Sequence, residues 1–172
     1  IEVTLQKGDI YQIMGAKTAY PGFQYDLGGT TVRSIANNKG ECHPIATFMG
    51  SSNQYIFCRG SLPPNGSYFP EDNLFQQIFP EHAWGRRYVT IPTCIDSDPK
   101  RHNINFYLVK VNDPATVVKR NGVALPRASL SSGNFYEFSS NTSDYIEADQ
   151  PILIAQILPS SGACGYIGKG DP

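Results

Sequence analysis

The sequence predicts an all-β fold, with packed antiparallel sheets forming a β-sandwich built from two related halves and stapled by disulfides. Three observations carry that expectation. The first is composition: ten Tyr and nine Phe stand beside sixteen Gly and thirteen Pro in 172 residues. Aromatic and β-branched side chains suit a pleated, half-buried surface, and Gly and Pro punctuate turns. The second is pattern, since short apolar runs alternate with turn-forming residues and no long helical period is present. The third is an even set of four cysteines, Cys42, Cys58, Cys94 and Cys164, none in a C-x-x-C pair. A closed barrel or propeller-like arrangement is the architectural alternative.

Each element follows from local chemistry. Ile1–Leu5 and Ile10–Met14 read as strands on either side of Lys7-Gly8-Asp9. Thr30–Ile35 is a further strand, followed by a loop through Asn37, Asn38, Lys39 and Gly40. Ile45–Met49 and Gln54–Cys58 read as a hairpin turning at Gly50–Asn53. Residues 60–73 form a loop rich in Pro, Gly and Asn. Asn73–Ile78 is a short helix or a strand, ended by Pro80. Tyr88–Ile91, Ile104–Val111, Ala115–Val118, Phe135–Phe138, Tyr145–Glu147 and Pro151–Leu158 read as strands. The last is the most apolar run and is predicted to be a central strand buried on both faces. The two halves are expected to be residues 1–75 and 76–172, within one compact module.

Charge excludes several function classes. Fourteen Lys and Arg against fifteen Asp and Glu give a formal net charge of -1. No basic run exceeds a pair, so the stripe typical of nucleic-acid binders is missing. No stretch reaches the roughly 18 apolar residues of a membrane span. The chain opens on Ile1, which reads as a mature or excised piece of a longer protein. The tripeptides Asn65-Gly66-Ser67 and Asn141-Thr142-Ser143 are acceptor sequons for glycosylation. With the even cysteine count they point to a secreted or cell-surface protein.

One string occurs twice. Leu5-Gln6-Lys7-Gly8-Asp9-Ile10-Tyr11-Gln12 parallels Leu130-Ser131-Ser132-Gly133-Asn134-Phe135-Tyr136-Glu137. Further on, Pro44–Met49 parallels Pro151–Ile157, and a Ser pair follows each, at Ser51 and Ser52 and at Ser160 and Ser161. The pattern reads as a duplicated supersecondary unit of the kind found in extracellular β arrays. The first copy has a truncated look, so flanking strands are expected to belong to it in the parent protein.

The order of motifs resembles the IgGFc-binding protein N-terminal domain family, found in mucin-associated secreted proteins of animals and in bacterial surface proteins. Leu5–Tyr11 resembles its Leu-x-x-Gly-x-x-Tyr element, and Asp26–Thr30 with Val32 and Ser34 its Asp-Leu-x-Gly element. Pro44–Gly50 resembles a proline, apolar strand, glycine segment. Asp72–Ile78 followed by Trp84-Gly85-Arg86-Arg87-Tyr88-Val89 resembles its most specific signature. Tyr145–Gln156 and Gly170-Asp171-Pro172 resemble later blocks. The family often carries Cys-Asp-His where this chain has Glu71-Asp72-Asn73, so cysteine roles do not transfer. The resemblance implies a β-rich, extracellular, non-enzymatic module used in adhesion or binding.

Candidate chemistry reads as follows. Cys42 and Cys58 flank the expected hairpin, and Cys94 and Cys164 each follow a strand, so the favoured pairing among three is Cys42–Cys58 with Cys94–Cys164. Such bridges contribute about 2–4 kcal/mol. His43, His82 and His102 have no nucleophile elbow near them, and Ser51, Ser132 and Ser161 sit in turn contexts. Asp96, Asp98 and Asp113 lack the EF-hand spacing and read as a solvated turn. Trp84, Arg86 and Arg87 combine residue types enriched at binding hot spots, although Trp84 in the core with Gly85 permitting a tight turn is the competing account. Arg86 and Arg87, adjacent in a strand, point to opposite faces. Tyr20, Phe23, Tyr25, Tyr68 and Phe69 lie in loops of the sort that carry binding residues, or else lid the core.

The sequence therefore predicts a non-catalytic extracellular recognition or adhesion module, needing no cofactor or metal. Its partners are expected to be proteins or glycoproteins, glycans among them, with no nucleic acid and no membrane insertion. A carbohydrate-active hydrolase or esterase on a β-sandwich, and a structural spacer in a surface array, are the alternatives.

Overall fold

The computed structural model describes residues 1–16, 27–54, 56, 72–95 and 98–160, with the backbone alone for 52–54, 72, 94–95 and 98–102. The chain divides into two units, Ile1–Thr31 and Val32–Pro172. The 75/76 boundary expected between halves falls inside a strand of the second unit.

The first unit is extended chain with two turns among its described residues. In one, the Asp9 amide donates to Gln6 O at 3.0 Å and the Gln6 amide to the Asp9 carboxylate at 2.8 Å. Gly8 holds φ +92°, a conformation that disfavours L side chains. The strands expected at Ile1–Leu5, Ile10–Met14 and Thr30–Ile35 are not formed. Local β propensity does not make a strand without a ladder partner.

Among its described residues the second unit has ten strands: β1 (Phe48–Gln54), β2 (Asp72–Gln77), β3 (Gly85–Thr90), β4 (Cys94–Ile95), β5 (Asp98–His102), β6 (Asn105–Val111), β7 (Val118–Arg120), β8 (Val123–Ala124), β9 (Phe135–Ser140) and β10 (Asp144–Ile157). No α-helix occurs among the described residues, only two short 3-10 turns at Glu81–Ala83 and Arg127–Ser129. The all-β expectation therefore holds. The largest sheet among the described residues is one curled antiparallel sheet, in the order β8-β7-β10-β6-β9 with β3 also on β10. The pairs β1-β2 and β4-β5 stand as separate two-stranded sheets.

β10 organises the curl. Its first part, from Asp144, pairs with β3 and β7, and its second part, from Ile152, pairs with β6. The ladder with β3 shifts register between Glu147 and Ile152, an irregularity of the kind that bends a strand. Tyr145–Glu147 and Pro151–Leu158, expected as two strands, are thus one strand up to Ile157. Its apolar run is not buried on both faces: Ile152 is buried, but Ala155 and Gln156 are exposed.

The core sits inside the curl. Strict alternation along β6 turns Asn105, Tyr107, Val109 and Val111 inward. Val118, Tyr136, Ile146 and Ile152 complete the buried set. Each such aliphatic side chain contributes about 1.5–3 kcal/mol on leaving water. Tyr107 stacks on Phe138 with ring centroids 5.2 Å apart, and Arg120 lies 4.4 Å over the same Phe138 ring.

A polar knot closes the curl beside this core. Asp144 is almost fully buried and accepts hydrogen bonds from Arg120 Nη2 at 2.9 Å and Asn121 Nδ2 at 2.6 Å. The Asp144 amide donates to Thr90 Oγ1 at 3.2 Å. Asn121 Oδ1 in turn accepts the Tyr145 amide at 2.8 Å. Asn121 and Gly122 both have positive φ, +52° and +82°, and link β7 to β8. Two left-handed residues in a two-residue loop make the type I′ hairpin for which Asn-Gly is the strongest local signal.

The expected hairpin at Gly50–Asn53 is not formed. Those residues lie within β1, whose partner is β2 rather than Gln54–Cys58. The Phe48 and Phe75 rings stack 5.5 Å apart across this ribbon. Gly50 is required there, since a Cβ would stand 2.4 Å from Leu74 O and 3.0 Å from the Phe75 ring. The segment expected as helix or strand at Asn73–Ile78 is strand.

Two outcomes follow. A Cβ on Gly122 meets nothing within 4 Å, so Gly122→Ala costs about 1–2 kcal/mol from backbone conformation alone. Asn121→Ala costs about 2–4 kcal/mol, because it also removes two hydrogen bonds to buried or strand groups. Urea unfolding of both variants measures the order. The second concerns pH. Burial alone raises the Asp144 carboxyl, but hydrogen bonds from Arg120, Ser140 and Asn121 outweigh it and hold the group below the usual carboxylate range. Its stabilisation is complete above the unfolded value of about 3.9 and is lost as pH falls through the depressed folded value. Unfolding midpoints followed below about pH 4 fall more steeply for the parent than for Asp144→Asn.

Candidate binding surface

The Trp84-Gly85-Arg86-Arg87-Tyr88-Val89 segment is built as a clasp. Tyr88 lies three residues along β3 from Gly85 and its hydroxyl returns to that glycine, accepting the Gly85 amide at 2.7 Å. The same hydroxyl donates to Ile152 O at 2.7 Å, at the bend of β10. A Cβ on Gly85 would stand 3.1 Å from the Tyr88 hydroxyl, tighter than ordinary contact, so the glycine leaves room for the ring. Trp84 is half-buried, and its indole N–H donates to Phe79 O at 3.1 Å. Trp84, Gly85 and Tyr88 therefore position the chain entering β3.

What the clasp positions is the outer face of β3, β10 and β7. Alternation turns Tyr88 and Thr90 inward and leaves Arg87 and Val89 outward. On β10, Asp144 and Ile146 are buried, so Tyr145 and Glu147 face out. Register then places Val89 opposite Tyr145, and Glu147 opposite both Arg87 and Lys119. Lys119 Nζ lies 3.8 Å from the Glu147 carboxylate, an exposed pair worth about 0–1 kcal/mol. Val89 and Ile91 are 65% and 66% exposed, and Tyr145 is 40% exposed. The face thus has an apolar centre with an aromatic ring and a charged row at its edge, the anatomy of protein interfaces.

Beside the clasp lies an open depression of about 430 Å³ lined by Glu81, His82 and Pro151. The Glu81 carboxylate accepts from Asn112 Nδ2 at 2.6 Å. Among the described residues, no group of three or more His, Cys, Asp or Glu side chains is placed to hold a metal ion.

The residues singled out from sequence divide as follows. Arg86 and Arg87 are both exposed, on opposite sides of β3, and Arg87 joins the outer face. Asn141 is exposed in the connection between β9 and β10. Cys42 is exposed with a free thiol, so the Cys42–Cys58 bridge is not formed in this structure. Tyr20, Phe23, Tyr25, Asn65, Tyr68, Phe69, Cys58 and Cys164 lie outside the described residues, as does the Cys94 side chain. Val89, Ile91, Tyr145, Lys119 and Glu147 were not selected from sequence. Alternation within Tyr88–Ile91 and Asp144–Ala148 is visible there, but only strand register makes these residues neighbours.

The fold defines an all-β module in which one sheet face is left exposed beside a packed core. The chain belongs to the IgGFc binding protein family, whose sequence model matches residues 1–172, the whole chain. That family is one of protein-binding, generally extracellular modules. No curated protein and no solved structure shows significant similarity to the chain. No helix among the described residues is long and apolar enough to cross a membrane.

The face and the clasp respond differently to substitution. Val89→Thr, on an exposed position, changes stability by no more than about 0.5 kcal/mol. Tyr88→Phe leaves Gly85 N and Ile152 O without their shared partner and costs about 1–3 kcal/mol. Thermal and urea unfolding of the two variants read the contrast.

Proposed function

We propose that this chain is a non-catalytic extracellular recognition module whose β3–β10–β7 outer face binds a protein or glycoprotein partner. One observation carries the reading: Val89 and Tyr145 are exposed on a sheet face next to Arg87, with Ile91 exposed just beyond β3, although the same strands turn their other face into a core. A rigid sheet presents such a surface at little ordering cost, and Tyr and Arg are enriched among side chains that dominate binding energy. Family membership supports a protein partner. The exposed Asn141 supports use of that sequon as an oligosaccharide acceptor, at a corner where a glycan projects into solvent.

The family description makes immunoglobulin Fc the first probe, with a mucin-type glycan array as the second. Val89→Asp and Tyr145→Ala each weaken capture at least about tenfold, a loss of about 1.4 kcal/mol, while far-UV circular dichroism is unchanged. Parent-like binding by both variants, or no binding of the parent chain to either probe, overturns the proposal.

A further inference from the structure

The two copies of the Leu-x-x-Gly string fold alike locally and differ in what covers them. In each, the residue after the glycine donates its amide to the carbonyl three positions back: Asp9 to Gln6 and Asn134 to Ser131, both at 3.0 Å. Beyond that turn they part. Phe135 and Tyr136 begin β9 and lie against β6, and Tyr136 is 3% exposed. Their counterparts Ile10 and Tyr11 form no strand and are 93% and 50% exposed.

The second copy shows what covers this element. β6 pairs antiparallel with β9, setting Val109 opposite Tyr136 and Lys110 opposite Phe135. Its Lys110 Nζ donates to Gly133 O at 2.5 Å, and its Val111 amide to Asn134 O at 3.0 Å. In the first copy the matching positions are Gly8 and Asp9. Asp9 stands where the second copy has the neutral Asn134, one residue on from the carbonyl that receives the lysine, so a carboxylate with one oxygen on the Gln6 amide neighbours the position such a cation would take.

We infer that Gly8–Met14 is an acceptor edge for one extended strand with the chemistry of β6: apolar residues alternating outward from a lysine that faces Asp9. Docking follows β-strand addition. Main-chain hydrogen bonds to Ile10–Met14 supply affinity, while Tyr11 and the Asp9–lysine pair set the register. The acceptor lies in the first unit and is separate from the β3–β10–β7 face.

Amide hydrogen exchange on the whole chain tests this, with a synthetic Asn-Phe-Tyr-Leu-Val-Lys-Val peptide as probe. A version carrying the same seven residues on a Gly/Ser linker ahead of Ile1 removes any dependence on peptide solubility. Exchange at residues 10–14 slows at least about tenfold in both formats. Replacing the probe lysine with Glu, or introducing Asp9→Lys, reduces the protection, and the two charge reversals together restore part of it. Val89→Asp leaves it unchanged, so failure of the outer face as a binding site is read separately. Unaltered exchange at 10–14 in the linked form, or protection confined to β1, β2 or the edges of the large sheet, overturns the inference. Dimerisation of the probe-free chain that itself protects 10–14 also overturns it, in favour of a second copy as occupant.

Discussion

Burial of one carboxylate governs the geometry of the large sheet. Asp144 begins β10 inside the curl, where an uncompensated charge is prohibitively costly, so every element that reaches it is constrained. Arg120 comes from β7, Asn121 from the β7–β8 turn, and Thr90 from the end of β3. Arg120 also covers the Phe138 ring of β9. One residue thus ties these strands, its carboxylate accepting from Arg120 and Asn121 and its amide donating to Thr90, and these partners leave little freedom in how β7 and β3 flank β10. The outer face, with Tyr145 the next residue along, inherits that rigidity.

The second constraint is the bend of β10. A strand that changes partner midway must release some ladder bonds, and the carbonyl of Ile152 at the bend is taken by the Tyr88 hydroxyl. Gly85 makes room for that ring, which accounts for the glycine and tyrosine of the Trp84–Tyr88 segment on steric and hydrogen-bonding grounds. Trp84, Gly85 and Tyr88 therefore hold the scaffold, and their outward neighbours are left exposed. Arg87 belongs to both descriptions, being within the motif and on the face.

The repeated string separates local from tertiary coding. Both copies make a turn, because a turn needs only its own side chains and one glycine or asparagine tolerant of positive φ. The left-handed residue differs, Gly8 in one and Asn134 in the other, with φ +92° and +57°. Only the second copy becomes a strand, since only there does β6 satisfy the backbone.

The all-β class, the strands around Tyr88–Thr90, Asn105–Val111 and Phe135–Phe138, and the family motifs were legible in the sequence. They rest on side-chain alternation, turn residues and composition, which are local properties. The Asn121-Gly122 hairpin was not among the sequence expectations, although the dipeptide is itself a local hairpin signal. The partner of β1, the fusion of two expected strands into β10 and the failure of Ile1–Leu5 and Ile10–Met14 to form strands were settled by tertiary pairing. So was the outer face: Val89, Lys119 and the pair Tyr145 and Glu147 are far apart in sequence, and only register across β3, β10 and β7 brings them together. Ladder hydrogen bonds join distant segments, and no local pattern states which distant segment will satisfy them.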